Sequence, residues 1–242
     1  MFIPHLSKSV IAAFLMGASS FAWAFSLADV SNKGATSGVK AALEKGATVA
    51  VAKLGVENGF LNSEKVKIGL PAYVEKAMPL LRMTGQGKKL DALQVSMNHA
   101  AESAVALAKP LLLDAVKSMS VTDAKNILTG GETSVSDFFR QKTATPLSAK
   151  FLPVVKKITD GNGLSSQYNA VMGKASASGL VSKEEASVET YVTQRALDGL
   201  YTIIADEEKA IRADPVGTGS AILGEGIWRD QVRPNLKTEN GA

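Results

Sequence analysis

The chain has 242 residues, 45% apolar and 21% charged, with 27 lysines and arginines against 23 acids and a formal charge of +4. That apolar content is ample for a packed core and excludes a disordered or fibrous chain. With no cysteine and two histidines, thiolate zinc, iron–sulfur clusters, thiol catalysis, disulfides and multi-histidine metal sites are excluded as well.

Residues 1–24 read as a secretory signal. Lys8 and the amino terminus make a positive end, Val10 to Phe21 is apolar but too short to cross a bilayer, and Ala22-Trp23-Ala24 is an A-x-A cleavage pattern. The expected cut lies between Ala24 and Phe25, giving a periplasmic or secreted protein. No later stretch reaches the roughly 18 apolar residues of a membrane span, and no cysteine follows the cut to carry a lipid anchor. Lysines and acids are interspersed with few aromatics among them, which argues against nucleic acid as a partner.

Beyond the signal, apolar periodicity is helical almost throughout and no alternating run suits a strand. Leu27 to Leu54 is a first helix, rich in alanine and valine and interrupted by Gly34, Gly38 and Gly46. A loop over Gly55 to Gly69 leads to Pro71, which suits the first position of a helix reaching about Met83. After the break at Thr84-Gly85-Gln86-Gly87, Lys88 to Met119 reads as one long helix. Its Leu90, Leu93, Met97, Ala101, Ala104, Leu112 and Met119 share an arc, and Pro110 keeps the phase, so a kink is expected there. His99 falls opposite Leu90 on this wheel and is expected to face solvent.

Three capping signatures follow. Ser120–Asp123 opens a short helix ended by Gly130-Gly131, and Ser134–Asp137 opens the segment with Phe138, Phe139 and Arg140; in both, the third helical residue is Asp, shorter than the usual Glu. Ser182-Lys183-Glu184-Glu185 is a full capping box that should open the last long helix, which runs to about Ala213 and stops at Asp214-Pro215. From Gly224 to Ala242 the chain turns polar and is expected to be a poorly ordered tail. The fold expected over 25–223 is all-α, a single-domain bundle of about seven or eight helices.

Several stretches resemble one bacterial family. They are Gly59–Asn62, Ile68–Pro71, Met97–Glu102, Ala124–Gly131, Asp137–Thr143, Tyr191–Leu200 and Glu207–Pro215, in that order and spacing. The chain from about Leu27 to Leu223 resembles the domain-of-unknown-function family numbered 4197. The resemblance implies an exported helical bacterial protein and brings no activity with it.

Candidate sites are few. Glu207 shares a helical arc with Val192, Ala196, Leu200, Ile203 and Ile211, so its carboxylate points along the side expected to be buried, where it needs a cation. Arg140, beside Phe138 and Phe139, is the expected partner, since guanidinium tolerates burial better than ammonium, and the pair reads either as a structural ion pair that fixes helix register or as part of a site. Glu184, Glu185, Glu189, Asp206 and Glu208 read as a helix start and a solvated face, and no EF-hand or phosphate-loop pattern occurs, so neither metal nor cofactor is expected. Tyr168, Tyr191 and Tyr201 suit either core packing or an apolar pocket.

The leading expectation is a non-enzymatic binder of a small apolar or amphipathic ligand, or of a partner protein, in a cleft between helices. Arg140, Lys142 and Glu207 would be its polar anchors, with Phe138, Phe139 and Tyr191 beside them. The alternatives are a hydrolase or lyase using Glu207 with Arg140 or Lys142, and a structural or envelope-stress protein without a site.

Overall fold

The structure, a computed structural model, describes residues 27–161 and 163–213. The expected signal, the stop at Asp214-Pro215 and the polar tail lie outside the described residues. Eight helices occur among the described residues, and no strand: α1 (Leu27–Leu54), α2 (Ala72–Met83), α3 (Gly87–Val105), α4 (Lys109–Lys117), α5 (Val121–Thr129), α6 (Ser134–Thr159), α7 (Gly163–Ala177) and α8 (Val188–Ala213). The all-α bundle expected from periodicity is therefore the architecture.

Its centre is the packing of α6 against α3 and α8, with α1 laid across α8, α4 and α5. Each central helix buries residues at helical spacing: Leu93, Met97, Ala100 and Ala104 on α3, Phe139, Leu147, Phe151 and Val155 on α6, and Val192, Ala196, Leu200 and Ile204 on α8. Alanines at the α3 and α8 contacts let the helix axes approach closely. Pro146 and Pro153 both lie inside α6, on its exposed side. Each removes a backbone donor at a cost of roughly 3 kcal/mol, so α6 persists through the burial of its inner face.

Three helix boundaries differ from the sequence reading. Lys88 to Met119 is two helices, not one kinked helix: the amides of Ala106, Leu107 and Ala108 close the end of α3, and α4 restarts with Pro110 in its first turn. Proline lacks the amide that a continuing helix would use and is pre-shaped for a helix start. Of the Ser182–Glu185 box only the Glu185 amide's bond to Ser182 Oγ, at 3.3 Å, forms as expected, with the Ser182 hydroxyl donating to the Glu185 carboxylate at 3.4 Å, and it closes only a turn. The start of α8 is capped instead by Asn169 of α7, whose Oδ1 accepts the Val188 amide at 2.8 Å, and by Ser187 and Thr190. Ser134 lies within α6 rather than capping it, its hydroxyl donating to the Ile127 carbonyl. The Ser120–Asp123 box is present in full despite its short aspartate.

Burial corrects the sequence reading at three polar residues. His99 does not simply face solvent: its Nε2 is buried, without a hydrogen-bond partner. Glu189, expected on a solvated face, is buried and accepts both the Asn169 amide, at 2.9 and 3.0 Å, and the Thr159 hydroxyl at 3.4 Å, tying together the ends of α6, α7 and α8. On α8 the inward acid is Glu208, beside Ile204 and Ile211, while Glu207 lies one position, about 100°, around the helix.

Candidate functional site

The connection between α1 and α2, residues 55–71, forms one wall of a polar groove and leads into the helix that flanks an apolar cleft, and two polar side chains of α3 hold it. Glu102, nearly fully buried, accepts the backbone amides of Asn58, Phe60 and Leu61 at 3.0 to 3.1 Å. Asn98, fully buried, accepts the Ile68 amide and donates to the Ile68 carbonyl, both at 2.9 Å. The turn around Glu102 needs Asn58 at φ 63°, a left-handed conformation that asparagine tolerates. Phe60 is thereby driven fully into the core against Gly199, where a methyl group would sit 2.7 Å from its ring. Sequence reasoning passed over Glu102 and Asn98. Their signal was available: with Ala101 and Val105 they fall at i, i+3, i+4 and i+7, polar groups on a stripe that is otherwise apolar.

On one side of this connection, α2 lies over α3 and α7 and encloses an apolar cleft of about 220 Å³. Its walls include Tyr73, Val74 and Leu81 from α2, Leu90 and Leu93 from α3, and Tyr168 from α7. The helix that covers it buries no residue of its own. The polar side chains among these walls are the two tyrosines and Gln167. Tyr168 donates to the Glu185 carbonyl at 2.9 Å, and burial, aided by the neighbouring Glu185, pushes its pKa up to about 12. Its ring therefore stays neutral, an amphipathic face inside an apolar wall.

On the other side, residues 65–69 run beside α8 and leave a polar groove of about 290 Å³, lined by Lys65, Lys67, Tyr191, Arg195, Asp198 and Thr202 among others. Tyr191 closes one end, its hydroxyl donating to the Gly69 carbonyl at 3.3 Å. Behind it Arg140 reaches from α6, donating to Asp198 at 3.0 Å with its guanidinium 4.9 Å from the centre of the Tyr201 ring. The Tyr201 hydroxyl shares a buried hydrogen bond with Thr143, and its pKa is raised by burial.

These contacts correct the expected pairing. Glu207 is bound at 2.5 Å by Lys53 of α1, not by Arg140, which belongs to Asp198. Lys142 lies 4.0 Å from Asp123 of the α5 capping box. Phe138 and Phe139 stack edge to face at 5.5 Å and are buried. Of the six side chains expected to form one site, Tyr191 lines the polar groove and Arg140 reaches it by pairing with Asp198, while Glu207, Lys142, Phe138 and Phe139 do not join them. None of the six lines the apolar cleft. The reason for the mispairing is the one-residue rotation on α8, which sets Glu207 toward α1. Among the described residues, no group of three potential metal ligands converges and no helix is long and apolar enough to cross a membrane.

Residues 29–225 match the family model described as a protein of unknown function, DUF4197. The chain belongs to the DUF4197 family. The match spans all eight helices apart from the first two residues of α1, so both clefts are built within the family's own domain. The family resemblance read from Met97–Glu102 and Tyr191–Leu200 thus falls on the segments that hold the connection and line the polar groove. No curated protein and no solved structure is detectably similar to the chain.

Proposed function

We propose that this DUF4197 protein is an exported, non-catalytic binder of a small amphipathic molecule, whose apolar part lies in the cleft between α2, α3 and α7. The observation that carries this reading is the cleft: about 220 Å³ lined mostly by apolar side chains, under a helix that has no fully buried residue and only half-buries Val74, Met78 and Leu81 against the core. A concave apolar space with a few polar groups at its edge is the usual form of a small-molecule site. Tyr73, 44% exposed, and the neutral Tyr168 supply the edge here. Export is supported by the positive end, apolar stretch and A-x-A pattern of residues 1–24. Acid–base catalysis by Glu207 loses its support, since Lys53 rather than Arg140 or Lys142 binds that carboxylate and Glu207 lines neither cleft.

The test is titration of the full chain with N-phenyl-1-naphthylamine, an apolar dye that brightens out of water. Ala77 is exposed on α2 and lines the cleft, so Ala77→Trp fills the space without touching the core. The reading expects saturable brightening and an affinity at least about tenfold weaker in Ala77→Trp, with the thermal midpoint unchanged. No brightening, or equal binding by the variant, overturns it. Amino-terminal sequencing of protein isolated from the periplasm should begin at Phe25.

A further inference from the structure

The polar groove has a charge pattern that the bundle itself does not use. One acid lines it, Asp198, which is paired with Arg140 at 3.0 Å and accepts the Gln194 amide at 3.1 Å; of its cations, Lys65 is taken by Asp206, its ammonium contacting both carboxylate oxygens at 2.6 Å. Two cations remain. Lys67, on the connecting segment, is exposed and has no ion-pair partner among the described residues. Arg195, on α8, comes only within 4.0 Å of Asp198, while its guanidinium rests 5.2 Å above the Tyr191 ring. Stacking of that kind fixes the plane of a guanidinium and leaves its N–H donors pointing outward.

The ring beneath Arg195 is itself pinned by the hydrogen bond from Tyr191 to Gly69. Lys67 and the loosely paired Arg195 thus both line one concavity of about 290 Å³, one on a segment tied down by Asn98 and one on a helix. Such a pair suits a doubly charged, tetrahedral anion: the guanidinium forks two oxygens and the ammonium supplies a point charge. We infer that the groove between Lys67 and Arg195 binds a phosphoryl group, carried by a phosphorylated small molecule or by a lipid headgroup.

The experiment is a titration of the isotope-labelled full chain with inorganic phosphate, followed by amide NMR shifts. Saturable shifts confined to residues 65–70 and 191–202 are expected, with affinity at least about tenfold lower in Lys67→Ala/Arg195→Ala and unchanged in the distant Lys117→Ala. Arg195→Lys, which keeps the charge and loses the fork, should fall between. No saturation at millimolar phosphate, or equal binding by the double variant, overturns the inference. A second arm separates the two sources. Binding to phosphatidic acid vesicles that the double variant loses assigns a headgroup; phosphate binding without vesicle binding assigns a soluble phosphorylated molecule. The dye assay above reads the apolar cleft alone, so the two sites succeed or fail separately.

Discussion

Glu102 carries more of the architecture than any other single polar side chain described. One carboxylate satisfies three amides of a connection that would otherwise run over the bundle with unpaired donors. Glu102→Ala should therefore cost about 3 kcal/mol in urea unfolding, since it strands buried donors. Gly199→Ala should cost about 2 kcal/mol by forcing the Phe60 ring aside. Tyr168 makes a prediction in pH. Its folded pKa, about 12, lies above the ordinary value of 10.0, so the fold favours the neutral phenol. That preference is fully present below pH 10 and is lost as the pH rises toward 12. The thermal midpoint should accordingly fall across that window, and Tyr168→Phe should remove part of the fall.

Among the elements, α5 and α2 are opposites. The start of α5 is locally determined: Ser120 and Asp123 cap each other's amides, and their hydrogen bonds hold the Asp123 carboxyl below its ordinary 3.8. Ser120→Ala should cost about 1 kcal/mol at neutral pH. The difference between wild type and Asp123→Asn should shrink as acid protonates the aspartate below pH 3.8, because a lowered carboxyl stabilises only while ionised. By contrast α2 has no fully buried residue and only half-buries Val74, Met78 and Leu81, so its amides should exchange with solvent orders of magnitude faster than those of α3 or α8, and an occupied cleft should slow them. The local signals were legible in sequence: the α5 box, the Pro71 helix start, the helical period of each long segment. The break between α3 and α4 was not, because the apolar phase runs on through Ala104 and Ala108, and periodicity alone cannot separate a kink from a restart. Nor was the true start of α8, whose cap comes from Asn169 on another helix.

At the scale of the whole molecule, fold class followed from composition and period, whereas both clefts depend on which helices meet. The apolar cleft joins Tyr73, Leu90 and Tyr168 from three helices, and the polar groove joins Lys67 to Arg195 across 128 positions of sequence. No local pattern carries that information. Glu207 shows the same limit from the other side: a wheel places it within one residue of the buried Glu208, yet its partner is chosen by the packing of α1 against α8. The proposed ligand, a small amphipathic molecule, would occupy the space under α2. Native mass spectrometry of the protein expressed from its complete gene and purified without detergent is the decisive measurement. A stoichiometric small-molecule adduct that collisional activation releases, and that Ala77→Trp lacks, is the result expected; a bare polypeptide mass in both proteins would contradict it.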